Sequence, residues 1–374
     1  MKIAHFGVEE WLNEREKSAI YDLAGSSIAS FTLEEIISID GTQPQDFFSE
    51  LLPKKMNYGW IEGSPEFKNE VSKLYKNMPV DNILQTNGAT GANLLALYAL
   101  VEPNDHVIAM HPSYQQLYDI PKSLGADVSF WEIKAENAWQ PQLADLKKLI
   151  RTDTKLICLN NANNPTGTLL SEEFLQKIIE IAKSVDAYIL VDEVYKPLDD
   201  THSTPSIVDL YEKGIATNSL SKTYSVPGIR IGWTASNHET ANLFRKYRDY
   251  TMICAGVIDD ALAVHTLKNK KLVLNRNKKI VSTNLAILEK WVANEPLVSV
   301  ILPKSVSTSF IKLDIPLNSE EFCIQLLEET GVLLVPGSRF DLEQHARLGY
   351  CTHTETLLIG LEKLSHFLTR YTEK

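Results

Sequence analysis

Between about residues 64 and 235 the chain alternates short apolar runs with amphipathic stretches, the pattern of an α/β unit on a mostly parallel sheet. "SPEFKNEVSKLY" predicts a helix with Ser64 as N-cap and Pro65 in its first turn, burying Phe67, Val71, Leu74 and Tyr75 on one face. "SEEFLQKIIEIAKS" predicts a second helix capped by Ser171, with two acids at its positive end. Phe174, Ile178 and Ala182 align along it, as do Leu175 and Ile179. The runs "HVIAM", "LICLN", "YILVD" and "RIGW" are strand candidates. Three of them lead straight into polar clusters, "HPSY", "NANNPTG" and "DEVY". Open α/β sheets bind ligands beyond the carboxyl ends of their strands, so these clusters are expected to converge.

From about residue 300 the pattern changes to a smaller α+β arrangement. "SVILP", "SFIKLDI" and "GVLLVPG" read as strands. "SEEFCIQLLEETG" reads as a helix capped by Ser319 and stopped by Gly331, and "ETLLIGLEKLSHFL" as a closing helix. A long charged helix around "KNKKLVLNRNKKIVSTNLAILEKWV" is expected to connect the two parts. The predicted partition is a large domain over residues 40–275 and a small one made of 1–39 together with 276–374.

Length and charge narrow the class. A chain of 374 residues exceeds one compact core. With 37 basic against 48 acidic side chains, the net charge of −11 disfavours nucleic acid and anionic membrane as partners. The cysteines at 158, 254, 323 and 351 are far apart and fit no metal-ligand spacing, so no metal and reduced cytoplasmic thiols are expected. The opening "MKIAHFGVEEWLNEREK" has no apolar core of a signal peptide, and the run "ANLLALYALV" is too short to span a bilayer.

Candidate chemistry centres on "NSLSKTYSVPGIRIGW". Lysine can join an aldehyde, while serines and an arginine can hold a phosphate; here these are Lys222, Ser219, Ser221 and Arg230. Taken alone, Lys222 reads better as a solvated lysine. In "TNGATGANLLAL" the residues Ala89 and Thr90 open a helix, where backbone N–H groups meet anions, or where Thr90 is simply a cap. Asn164 lies in the turn "NNPTG", which Pro165 and Gly167 would suit without any ligand. Asp192 ends a buried strand and needs a partner, either a cofactor nitrogen or an ordinary ion pair. Tyr114 and Tyr195 offer flat faces that can equally be packing.

The ordered set YG…EG, NGAT, PSY, NNPTG, DEVY, SLSK, GIRIGW resembles the class I/II aminotransferase family, pyridoxal-phosphate enzymes of fold type I, over nearly the whole chain. The resemblance implies an α/β large domain that binds pyridoxal 5'-phosphate, plus a smaller α+β domain. It makes Lys222 the Schiff-base lysine and proton shuttle, and Asp192 the partner of the pyridine nitrogen. Asn164 and Tyr195 are matched to hydrogen-bonding roles at the ring oxygen, and Tyr114 and Val194 to the two ring faces. Ala89, Thr90, Ser219, Ser221 and Arg230 are matched to the phosphate. Tyr58 matches a tyrosine that reaches that phosphate from a neighbouring subunit, which implies a homodimer with shared sites. Arg347 in "HARLGY" matches the arginine that clamps the substrate α-carboxylate, with Gly25 and Asn164 beside the substrate. The implied partners are an amino acid and a 2-oxo acid.

The sequence departs from the family near residue 25, reading "AGSSIASFT" where many members have an apolar-Gly-x-Pro segment. "EWLNERE", "FTLEE" and "YTMICAGVIDDALA" look more like capreomycidine synthase, a cyclising member of the superfamily. Two activities therefore stand: amino transfer, and lyase or cyclase chemistry on a basic amino acid. Asp259 and Asp260 are candidates to face a basic side chain, or are helix N-terminal acids favoured by the dipole.

Overall fold

The computed structural model describes residues 2–199, 201 and 204–372. Its centre is a seven-stranded sheet in the order Ile83–Asn87, Ile231–Ala235, Gly214–Ser219, Tyr188–Asp192, Thr154–Asn160, His106–His111, Asp127–Glu132. Ile231–Ala235 runs antiparallel to both neighbours, and the other pairings are parallel. Both faces are covered, so successive residues serve opposite layers. Ile108, Ile157 and Ile189 join the larger apolar cluster, while Val107, Leu156 and Leu190 join the second.

The anticipated helices form where their caps predicted. Ser64 accepts from Phe67 N–H at 3.1 Å and opens Pro65–Ser72. Ser171 accepts from Phe174 N–H at 3.2 Å and opens Glu172–Lys183. The charged stretch is a helix of 23 residues, Lys270–Val292. Three strands of the central sheet were not anticipated: Ile83–Asn87, Asp127–Glu132 and Gly214–Ser219. Each mixes polar and small residues into its run, as in "ILQTN", "DVSFWE" and "GIATNS".

The C-terminal part corrects two expectations. Ser319 is not the cap of its helix: Asn318 accepts from Glu321 N–H at 2.9 Å, and Ser319 is the first helical residue. Amide and hydroxyl side chains cap comparably, so adjacent candidates are decided by local geometry. Gly331 does stop the helix, at φ 76°. "GVLLVPG" is not one strand. Val332–Leu333 pairs in parallel with Tyr21–Asp22, and Val335–Pro336 pairs with His345–Leu348 in a separate four-stranded antiparallel sheet. Leu334 sits at the crossover, its carbonyl accepting from Trp11 Nε1 at 2.8 Å.

That crossover ties the N-terminal segment to the C-terminal one. Gly349 N–H donates to Leu23 O at 2.7 Å, and the backbones approach so closely that a Cβ on Gly349 would lie 1.5 Å from Gly25 O. Only glycine fits there. Gly349→Ala is expected to destabilise by about 1–3 kcal/mol through overpacking. The measurement is a lowered denaturant midpoint, with Gly228→Ala, where a Cβ meets nothing within 4 Å, as the nearly silent control.

Candidate functional site

The strand ends converge on a cavity of about 700 Å³. Tyr188–Asp192 delivers Asp192, which is 2% exposed. One carboxylate oxygen accepts from Asn93 Nδ2 at 2.8 Å and the other from Val194 N–H at 3.2 Å. Asn93 is itself oriented by Thr217, whose hydroxyl donates to Asn93 Oδ1 at 2.6 Å. Burial outweighs these bonds and raises the Asp192 carboxyl to about 6.

Lys222 follows the Gly214–Ser219 strand and points its amine into the same cavity. Nζ donates to Ser26 Oγ at 2.8 Å and has no carboxylate within ion-pair distance among the described residues. Burial first, then the cations Arg347 and Arg230, lower its amine to about 8, despite the opposing charges of Glu9 and Asp192. Ser26 also hydrogen-bonds the buried Tyr195 side chain, whose hydroxyl burial pushes up to about 12.

One wall is a cradle for an anion. The helix Gly88–Leu100 begins there, its first N–H groups unpaired within the helix. Gly88 takes φ 64°, and a Cβ on it would lie 2.5 Å from the Arg230 guanidinium. Arg230, at φ 52°, stands 3.5 Å from Ser221 Oγ, at the limit of a hydrogen bond. Ser221 N–H donates to Ser219 Oγ at 3.2 Å, so both hydroxyls sit in one turn.

The opposite wall carries Arg347 from the strand His345–Leu348. It is 2% exposed, donating to Asn164 Oδ1 at 3.1 Å and to Ala24 O at 2.8 Å, while Nε finds no partner. A buried guanidinium held only by neutral oxygens is costly unless an anion joins it.

Ala89, Thr90, Tyr114, Asn164, Asp192, Val194, Tyr195, Ser219, Ser221, Lys222, Arg230, Arg347 and Gly25 therefore all line this one cavity. Tyr58 does not. It is 76% exposed and borders a second cavity of about 960 Å³. Asp260 borders that cavity too, accepting from Gln85 Nε2 at 2.8 Å and Ser64 N–H at 3.2 Å. Within one chain neither Asp259 nor Asp260 lines the Lys222 cavity, and of the two expectations the chain shows the helix-terminal one. Asp259 and Asp260 instead occupy the first turn of the helix Val257–Lys268.

Sequence reasoning missed Asn93, Ser26, Gln116 and Glu9. Only Asn93 carried a signal: an amide inside the apolar helical run "ANLLALYAL" must find a buried partner. The site fits pyridoxal phosphate on three independent observations. These are the glycine-cleared anion cradle, the amine without a counter-ion, and the buried carboxylate aligned by Asn93 and the Val194 N–H.

Residues 45–364 match the family described as aminotransferase class I and II. Aspartate aminotransferase of Thermotoga maritima is 30% identical over 310 residues, covering 78% of this chain and 77% of that protein. Capreomycidine synthase of Streptomyces vinaceus is 26% identical over 369 residues, covering 96% and 93%. The solved structure of a PLP-dependent aminotransferase from Streptococcus suis 89-1591 superposes with a TM-score of 0.98 at 58% identity, covering all of both chains.

The lowered Lys222 amine has a consequence for the cofactor-free protein. Folded, the amine loses its proton near pH 8; unfolded, near its ordinary 10.5. Between those values the unfolded chain binds more protons, so this group makes stability rise with pH across that window. At pH 7 the buried charge opposes folding by roughly 1–3 kcal/mol, cavity water screening part of the full shift. Lys222→Met is expected to be the more stable protein at pH 7, with the gap closing towards pH 10.5. Parallel denaturation of both proteins across pH would expose a constant gap if the amine were unshifted.

Proposed function

The chain belongs to the class I and II aminotransferases, and from that premise we propose how its own residues carry the family's reaction. It is a pyridoxal-phosphate-dependent transferase that moves an amino group between an amino acid and a 2-oxo acid. When bound, the cofactor supplies an aldehyde that links to amines and a pyridinium ring that draws electrons from the substrate Cα. Lys222 Nζ would hold that aldehyde, and its free amine would carry the proton to and from the substrate Cα. Its lowered basicity suits it to this task near neutral pH.

Asp192 would hold the ring nitrogen in its protonated form, the cation offsetting the burial that raises the carboxyl when alone. Asn164 and Tyr195 would hydrogen-bond the ring oxygen, and Tyr114 and Val194 would pack against the ring. The N–H groups and hydroxyls of Ala89, Thr90, Ser219 and Ser221, with Arg230, hold the phosphate. Arg347 clamps the substrate α-carboxylate in a two-pronged fork, with Asn164 and Gly25 alongside. The observation that carries this reading is the shared cavity of Lys222 and Arg347, an amine and a guanidinium with no protein carboxylate in ion-pair range.

Tyr58 completes the phosphate site across a two-fold dimer, which agrees with its 76% exposure in one chain. Leu52, Met56, Trp60 and Ile61, its neighbours in sequence, are exposed as well and supply apolar surface for such a contact. The working compartment is the cytoplasm, where the four unpaired cysteines stay reduced. Residues 40–275 form the large domain, and 1–39 with 276–374 form the small one. The pairing of Tyr21–Asp22 with Val332–Leu333 supports grouping the two ends. A second reading, cyclase or lyase chemistry without a 2-oxo acid acceptor, is favoured by the end-to-end likeness to capreomycidine synthase.

Borohydride reduction of the holoenzyme followed by peptide mapping is expected to label Lys222 and no other lysine. Lys222→Ala should retain the cofactor non-covalently and lose about 10²–10⁴-fold in turnover. A label on Lys196 would overturn the assignment. Product formation that needs no 2-oxo acid would select the second reading.

Sharing of the site has its own test. Mixing Tyr58→Phe with Lys222→Ala subunits concentrates both defects in one site of the mixed dimer and leaves the other intact. Recovered activity is expected; mixed dimers that form without recovery would mean Tyr58 serves its own chain or has no role at the phosphate.

A further inference from the structure

Once the cofactor and the α-carboxylate are placed, the charges lining the cavity do not balance. Arg230, Lys222 and Arg347 are committed to phosphate, aldehyde and carboxylate in the reading above, and Asp192 to the ring nitrogen. Asp22 is satisfied by the N–H groups of Ala24 and Gly25, at 2.8 and 3.2 Å. Two acids remain, Glu9 and Glu16. Among the described residues neither carboxylate makes an ion pair or accepts a hydrogen bond. The third, independent mark of an absent ligand is Arg347, 2% exposed with its Nε unpartnered in the same cavity.

Half-buried Glu9 is placed by the N-terminal helix, Gly7–Arg15, and exposed Glu16 by the 3-10 turn Glu16–Ser18 that follows it. Val8 and Trp11 bury one face, with Trp11 Nε1 donating to Leu334 O at 2.8 Å. The start of the helix is fixed by Gly7 N–H donating to Gln115 Oε1 at 2.9 Å, and by the Phe6 ring 5.4 Å from that of Tyr114. Phe6, Glu9, Leu12 and Glu16 recur every three to four residues and all line the cavity. Apolar and acidic positions thus alternate along one stripe. An alkyl chain with a cationic end matches it: methylenes against Phe6 and Leu12, charge at Glu9 and Glu16. A second carboxylate on the substrate would meet these acids instead and be repelled.

We propose that this stripe selects amino acids with a long cationic side chain, an amine or a guanidinium, with Glu9 as the principal specificity residue. The proposal rests on the amino-acid substrate and the Arg347 clamp of the preceding section.

The experiment is the half-reaction of purified holoenzyme, without 2-oxo acid, followed by the bound cofactor's absorbance. Arginine is compared with citrulline, its neutral near-isostere, lysine with norleucine, and both with aspartate and glutamate. Wild type is expected to favour the cationic member of each pair by about ten- to hundredfold in the second-order rate constant of the half-reaction, the range of one charge-assisted hydrogen bond. Glu9→Gln should abolish most of that preference by raising the half-saturating concentration of the cationic substrates far more than that of the neutral ones. Glu16→Gln should act in the same direction with a smaller effect, and Glu9→Lys should move the preference towards aspartate and glutamate.

Equal or better reaction of citrulline, norleucine or the acidic amino acids in wild type would overturn the proposal. So would a Glu9→Gln loss that falls equally on every substrate, which marks a merely structural role. Silence towards all amino acids by cofactor-loaded enzyme would instead defeat the underlying reading of an amino-acid site, and the proposal with it.

Discussion

The Asn93 amide donating to Asp192 at 2.8 Å is the bond from which the site takes its register. Asp192 is the last residue of a central strand, Asn93 lies within the helix that opens the anion cradle, and Thr217 belongs to the strand leading to Lys222. Three elements are thereby fixed against one another through fully or nearly buried polar groups. In such surroundings a misdirected donor costs its full desolvation, so the network permits little drift. The cradle, the amine and the carboxylate hold their spacing because a single amide bridges them.

The second constraint is charge. The cavity holds Lys222, Arg230 and Arg347 without a protein carboxylate in ion-pair range of any of them among the described residues. Left to itself, such a cluster opposes folding, and the Lys222 amine responds by yielding its proton to about 8. Ligands relieve it. In the proposed reading a phosphate at Arg230 and a carboxylate at Arg347 would supply the missing anions, linking binding and stability through the same interactions. The strain that makes the empty site unfavourable is what makes the amine available as a nucleophile and base.

Much of this was legible along the chain because parallel strands announce themselves as short apolar runs whose ends carry polar clusters. "LICLN" leading to Asn164 and "YILVD" leading to Asp192 are of this kind. Strands with hydroxyls and amides among their apolar residues, such as "GIATNS", escaped because burial between neighbours, not pattern, makes them strands. "GVLLVPG" was misjudged because the chain changes sheets at Leu334, a step imposed by Trp11 more than 300 positions away. Tyr58 was legible only through family likeness, since within its own chain it is 76% exposed and borders a cavity apart from Lys222.

Glu9 was invisible for a further reason. An amphipathic helix near a chain end presents acids on its solvent face by default, and nothing local separates a solvated glutamate from one lining a cavity. The distinction comes from Gln115 and Leu334, which rotate the helix so that the 6, 9, 12, 16 stripe closes over the strand ends. The parts that hold the cofactor arise at the ends of the central strands, and their placement is dictated by the sheet. The stripe that meets the substrate side chain arises in a separate segment docked on top. A fold arranged this way can change its substrate by altering one helix face while Lys222, Asp192 and their hydrogen-bond frame stay as they are. Chemistry and choice are carried by different elements because only the first requires the rigidity of the sheet.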